Sequence, residues 1–318
     1  MGDLNYRTDF KAYMASEWKD KPHLELFNHV KGLVRKSDFG RIQECDQLRH
    51  HQREGRVFSQ FVEGEYMFEP TFKLLQVEGH VYEEKKKRIP SYTDRVLLRS
   101  LPRLRRHARF ERVESHPGMW TSDHKAVSAD VLVSCRRPAV LSAPSRSEDE
   151  CPVIRFHHLS ATGLVASDMT GMSDPFVTFY CDPPGALRKM KAAGCFTGYE
   201  ATPQTQPKNQ TLDPEWICET EVPDLVLNFG TKVNLTKGHL FLSLYDYDVG
   251  ASNDRMGQAV LSLAPFAGTS KFRFEEEVTY NSTRQGVIRG EAELIWERPA
   301  GFRLRAPRPS GEDCCIVS

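Results

Sequence analysis

No apolar run in this chain approaches the ~20 residues that a membrane-crossing helix needs, so a helical membrane span is excluded. The start carries no secretory signal. Met1-Gly2 opens like a myristoylation site, but Tyr6 stands where Ser or Thr is required. Net charge is also lacking: 43 Lys and Arg balance 43 Asp and Glu. The field of the whole molecule therefore points to no class of partner. Cysteines are scattered, at 45, 135, 151, 181, 195, 218, 314 and 315, without zinc-site spacing. With no secretory start they are expected to be reduced thiols of a cytosolic protein. No internal repeat is visible.

What is present is a 318-residue chain of ordinary globular composition, 39% hydrophobic and 27% charged. That length predicts two domains, each able to bury a core. Residues 1–35 carry helix-like spacing through Phe10, Tyr13 and Met14, then Leu24, Phe27, Val30, Leu33 and Val34. Residues 55–135 mix short apolar stretches with Pro and charged loops, which predicts strands and irregular connections. Residues 136–151, rich in Pro, Ser and charge, read as a linker. Residues 152–297 read as all-β, with strands parted by Gly, Pro, Asp and Asn loops, as in a β-sandwich. Residues 298–318 are expected to be a disordered tail.

Three islands lie in the first part. Gly2-Asp3-Leu4-Asn5-Tyr6-Arg7 places an Asp and an Asn two apart, on the same side of a strand end. Alone this is an ordinary turn. Lys85 to Leu97 (KKKRIPSYTDRVL) offers cations that can clamp phosphates, Arg in bidentate fashion. Alone, such a charge run is usually a solvated face. Ser122-Asp123-His124-Lys125 brings an Asp and a His together at the entry to a strand, a pair suited to metal-water activation and phosphate binding. Asp-His is common by chance.

In this order and spacing, the islands resemble the inositol polyphosphate 5-phosphatase family of the DNase-I-like phosphoesterases. Phe61-Val62-Glu63-Gly64 through Phe68-Glu69-Pro70-Thr71-Phe72-Lys73 and Asp46-Gln47-Leu48 extend the match over residues 1–135. The resemblance implies part of a two-sheet α/β sandwich and Mg²⁺-dependent phosphoryl transfer to water. It implies that Asp3 orients the water, Asn5 contacts the scissile phosphate, His124 stabilises its developing charge and Asp123 lies close to the metal. Lys73, Lys86 and Arg88 would bind the neighbouring 4-phosphate, with Arg7 and Arg95 as further substrate contacts. Phe72 replaces the family's usual Tyr and removes one hydroxyl. In the family, roughly half of the catalytic domain precedes GDLNYR, with a metal-binding Glu, an early Asn and a second catalytic His. None is found in this sequence, so Met1 is expected to be a wrongly chosen start or the chain a truncated product.

Aspartates carry the second argument. Asp168 and Asp174 lie six apart; Asp246, Asp248 and Asp254 share a second loop. Calcium takes six to eight oxygens, largely carboxylate, whereas like charges this close repel without a cation. Asp-rich turns explain one or two such residues, hardly five. With Ser173-Asp174-Pro175-Phe176-Val177 and Thr211 to Trp216, residues 152–297 resemble a calcium-dependent C2 domain, an eight-stranded antiparallel β-sandwich. The resemblance implies calcium bridging the aspartates to anionic lipid headgroups, with Lys208 and the Arg188-Lys189-Lys191 cluster as candidate basic contacts.

Cys315-Ile316-Val317-Ser318 has the form of a prenylation signal, Ser favouring farnesyl. One lipid anchors weakly, so Cys314 is a candidate for palmitoylation. The sequence therefore predicts a peripheral protein on the cytosolic face of membranes: a phosphoinositide 5-phosphatase acting on the 4,5-bisphosphate or 3,4,5-trisphosphate lipid. The rival is a non-catalytic, calcium-dependent phospholipid-binding protein with an incomplete phosphatase domain. A nuclease would not need the cations, and nucleic acid is not an expected partner.

Overall fold

The structure is a computed structural model, and it describes residues 1–134, 151–166, 171–191, 200–228, 235–248 and 252–297. The linker expected at 136–151, Asp168 and the tail with Cys314 and Cys315 therefore lie outside the described residues, apart from Cys151.

The first unit opens with β1 (Gly2–Asp3) and runs through α1 (Phe10–Tyr13), α2 (Ala15–Trp18), α3 (His23–Arg35), α4 (Phe39–Glu44) and α5 (Gln47–Arg53). It continues with β2 (Val62–Glu63), β3 (Asp94–Arg95), β4 (Leu97–Leu98), β5 (Ala108–His116) and β6 (Ala126–Val133). On α3, Leu26, Phe27, Val30 and Leu33 recur at helical spacing and are buried. Leu24 lies roughly 120° round the helix from Val30 and is 47% exposed. Asp38 and Asp46 cap α4 and α5 by accepting from the backbone N–H three residues on. Leu26, Val30 and Leu33 of this stripe pack with Phe10, Ile42, Cys45, Tyr66 and Tyr92 into one apolar cluster.

Strands here come as three antiparallel pairs: β1 with β3, β2 with β4, and the β5–β6 hairpin. Gly64 follows β2 where a Cβ would fall 2.6 Å from Val113 and 2.7 Å from Phe110. Only glycine lets this backbone pass under the hairpin.

The second unit contains β7 (Cys151–Thr162), β8 (Pro175–Asp182), β9 (Met190–Lys191), β10 (Glu200–Ala201), β11 (Glu215–Trp216), α6 (Cys218–Glu221) and β12 (Leu225–Val226). Then come β13 (His239–Asp246), β14 (Asp254–Ser262), β15 (Lys271–Tyr280) and β16 (Thr283–Glu297). An antiparallel sheet runs β11-β7-β16-β15-β14-β13-β8, with β12 also paired to β7. Four strands separate β7 from β8 along the path, yet Phe156 and Phe179 from these strands stack at 5.5 Å. The sheet has therefore closed over itself into a sandwich, with Leu159, Val177, Leu242, Leu261 and Ile288 in its shared core.

The units touch. Ser59 N–H donates to the Ser282 carbonyl at 3.0 Å and its hydroxyl to Glu277. Arg99 reaches the Thr279 hydroxyl at 3.1 Å. The Arg103 N–H donates to Nε2 of buried His239 at 3.4 Å.

Candidate functional site

The β1–β3 register sets Asp3 directly opposite Asp94. Leu4 N–H extends the pairing by donating to the Thr93 carbonyl at 2.8 Å. The chain then turns at Asn5, whose φ of 56° is a left-handed value that Asn adopts more readily than most residues. The Asn5 N–H donates back to Asp3 Oδ1 at 2.9 Å. Its side-chain oxygen accepts from Arg7 at 2.8 Å. The first island is thus a strand end folded onto itself, with its polar groups held together.

His124 enters from the loop before β6. Its Nδ1 lies 3.0 Å from Asp94 Oδ2, and its Nε2 lies 3.9 Å from Asp3 Oδ2. An ionised carboxylate only accepts, so Nδ1 carries a proton toward Asp94, while Nε2 faces Asp3. Asp94 Oδ2 also accepts from the Thr71 and Thr93 hydroxyls, at 2.6 and 2.8 Å. Among the described residues, Asp3, Asp94 and His124 are the one group of three whose ligand atoms lie within 4.8 Å of one another. Asp94 was not among the residues expected from sequence.

A cavity of about 350 Å³ adjoins this cluster, lined by Arg7, His23, Phe72, Lys73, Lys86 and Arg88 among others, with no carboxylate among its lining residues. Arg7 lies over the Phe72 ring at 4.2 Å, and that ring packs on His124 at 4.6 Å. Burial lowers the Arg7 pKa, with Arg88 adding to the effect and Asp3 opposing it. Lys73 pairs with Asp123, and that hydrogen bond holds the Asp123 carboxyl below its usual range. The structure therefore brings together Asp3, Asn5, His124, Arg7, Lys73, Lys86 and Arg88, and engages Asp123 with a cavity lysine outside the three-group cluster.

Arg95 is a correction. Expected to contact substrate, it is 2% exposed. Its guanidinium bonds both oxygens of Asp46, at 3.0 and 2.9 Å, and both oxygens of Glu63, at 2.7 and 2.6 Å. Neighbours on a strand point to opposite sides, so a site built on Asp94 turns Arg95 inward. Burial alone would lower its pKa; the Glu63 hydrogen bond and the charges of Asp46 and Glu63 outweigh that and raise it.

In the second unit, Asp246 and Asp254 face each other across the β13–β14 register. Asp246 Oδ1 accepts from the Asp174 N–H at 2.6 Å, and Asp174 Oδ1 accepts from the Gln210 N–H at 2.6 Å. Asp248 N–H donates to Asn253 at 3.1 Å. Asp246 is 1% exposed, and its Oδ2 has no hydrogen-bond partner. A buried carboxylate oxygen without a donor is unfavourable unless a cation meets it. Lys208 pairs with Glu221 at 2.7 Å, and Arg188 bonds Asn228 at 2.6 Å. These two basic contacts are therefore partly engaged within the domain.

Residues 1–130 match the profile of the endonuclease/exonuclease/phosphatase family 2, and residues 153–278 match that of the C2 domain. The chain thus joins a stretch that matches that family's profile to a stretch that matches the C2 profile. Its curated relatives include phosphatidylinositol 3,4,5-trisphosphate 5-phosphatase 2A of Danio rerio, 23% identical over 91% of this chain and 21% of that protein. The human phosphatidylinositol 3,4,5-trisphosphate 5-phosphatase 2 is 22% identical over 92% of this chain and 21% of its own length. Type I inositol polyphosphate 5-phosphatase 5 of Arabidopsis thaliana is 28% identical over 49% of this chain and 26% of that protein. The chain thus spans about a fifth of the length of the first two relatives. The expected α/β segment followed by a C2 sandwich is borne out. No helix among the described residues is long and apolar enough to cross a membrane.

Proposed function

We propose that the first unit carries substrate-binding and charge-stabilising groups of a phosphoinositide 5-phosphatase site, acting on a 4,5-bisphosphate or 3,4,5-trisphosphate lipid. The observation that carries this is the Asp3–His124–Asp94 cluster beside a cavity lined by Arg7, Lys73, Lys86 and Arg88. Asp94, through Nδ1, orients His124 so that a protonated Nε2 meets charge developing on the scissile phosphate. Asn5 supplies an amide to the same phosphate. The four cations hold the neighbouring 4-phosphate, with arginines suited to paired oxygens.

Mg²⁺ is the cofactor this chemistry implies. Mg²⁺ is bound by one or two carboxylates together with waters and phosphate oxygens. Asp94 Oδ2 is taken up by Thr71, Thr93 and His124, which leaves the Asp3 carboxylate as the donor to hold it. When bound, the ion would neutralise phosphoryl oxygens. In the second unit, the partnerless Oδ2 of Asp246 supports calcium binding by Asp174, Asp246, Asp248 and Asp254, with Asp168 as a further candidate. Calcium there would bridge to anionic lipid, and a lipidated Cys315, with Cys314 as a second candidate, would add attachment.

Phosphate release from dispersed phosphatidylinositol 4,5-bisphosphate with Mg²⁺ tests the first reading, using this chain and the Asp94→Asn variant. Release that falls about a hundredfold or more in the variant supports it; equal release refutes the assigned role of Asp94. Sedimentation with phosphatidylserine liposomes tests the second. Binding that persists in chelator, or survives Asp246→Asn with Asp248→Asn, removes the calcium claim. Calcium-dependent sedimentation with no phosphate release leaves the non-catalytic lipid-binding protein.

A further inference from the structure

We propose that His23, at the start of α3, is a positioning residue that sets specificity at the cation-lined cavity, with α3 as the rail on which the basic loop is mounted. This rests on reading that cavity as a phosphate site. His23 is 64 residues from the loop in sequence, and its Nε2 lies 2.7 Å from the carbonyl oxygen of Lys87. A carbonyl only accepts, so Nε2 donates, and it does so in both the neutral and the charged ring.

The geometry of the loop gives that bond its consequence. Lys87 has a φ of 47°, a left-handed conformation that lysine seldom adopts. That turn places the residues on either side, Lys86 and Arg88, along the cavity wall, while Lys87 does not line it. Three contacts hold the turn. Glu83 accepts from the Lys85 N–H and, at 2.9 Å, from the Lys86 N–H. Lys31, two turns along α3 from His23, pairs with Glu84. His23 holds the Lys87 carbonyl and also lines the cavity. Of the three, only His23 acts at the left-handed residue itself. Loss of its bond frees Lys87 to relax, and the two flanking cations then separate.

Calorimetric titration of the full chain in chelator, with inositol 1,4,5-trisphosphate and inositol 1,5-bisphosphate, tests this. The probes differ only in the 4-phosphate. Wild type is expected to prefer the trisphosphate. Loss of one hydrogen bond that positions two cations should cut that preference about 5- to 10-fold in His23→Ala, with affinity for the bisphosphate unchanged. His23→Gln, which keeps a donor, restores the preference; His23→Phe, which keeps bulk alone, does not. Lys31→Met lowers it less than His23→Ala. Thermal melts of each variant confirm a folded chain. An unchanged preference in His23→Ala, or rescue by Phe as good as by Gln, overturns the inference and leaves the phosphate reading standing. Wild type that prefers neither probe overturns both.

Discussion

Replacing Arg95 by Met should unfold the phosphatase segment at much lower urea. The guanidinium is enclosed by two carboxylates whose side chains are 0% and 11% exposed, Asp46 and Glu63. Met fills comparable volume, so packing loss is small. What remains is Asp46, ionised, buried and without its cation. Breaking one side of such a buried pair typically destabilises by about 3–5 kcal/mol. With a urea dependence of about 2 kcal/mol per molar, the midpoint should fall by roughly 1.5–2.5 M. Far-UV circular dichroism reports on this unit, because α3, α4 and α5 all lie in it. Adding Asp46→Asn to Arg95→Met should recover most of the loss: Asn removes the buried charge yet still caps α5 by accepting from the Arg49 N–H. A midpoint shift under about 0.5 M, or no recovery in the double variant, would refute the claim that Arg95 is a structural ion.

Three further outcomes follow. His239 must stay neutral to accept from the Arg103 N–H. Burial, ahead of the Asp182 attraction that opposes it, lowers its pKa in the folded chain, so protonation favours unfolding. Stability should be level above about pH 6.5 and fall below it; His239→Gln should flatten that fall in urea titrations from pH 7.5 to 5. Burial pushes the Cys45 and Cys181 thiols up to about 12, so iodoacetamide at pH 8 should modify them only at the rate of unfolding; fast labelling by mass spectrometry would contradict the described cores. Gly64→Ala puts a methyl onto Val113 and Phe110 and should destabilise by about 1–3 kcal/mol, read from the same urea titration as Arg95→Met.

How much was legible in the sequence depended on how local each feature is. The C2 unit was readable because its strands alternate with turn residues and its acidic loops are short; what joins Asp174 to Asp246 is a backbone N–H donating to the Asp246 carboxylate, a contact that spacing alone does not give. The α3 stripe was readable for the same reason. Asp94 was missed because the motif around it was read for its cations. Its role depends on a pairing with Asp3 across 91 residues, which no local pattern carries. The clue available was its place beside Thr93, one of the two hydroxyls it accepts from. Arg95 was misassigned for the converse reason: charge suggested a ligand contact, but the strand period turned it into the core. His23 gave no signal, since an isolated His opening a helix has no pattern.

Asn5 shows what such superposition means for anyone dissecting the site. One residue there satisfies two unrelated demands, a left-handed backbone and an amide beside Arg7. Alanine removes both together, so its effect cannot be apportioned. Glycine keeps the backbone and deletes the amide; aspartate keeps much of the shape and reverses the electrostatics. Comparing those two, rather than an alanine scan, divides what the GDLNYR segment contributes by folding from what it contributes by chemistry.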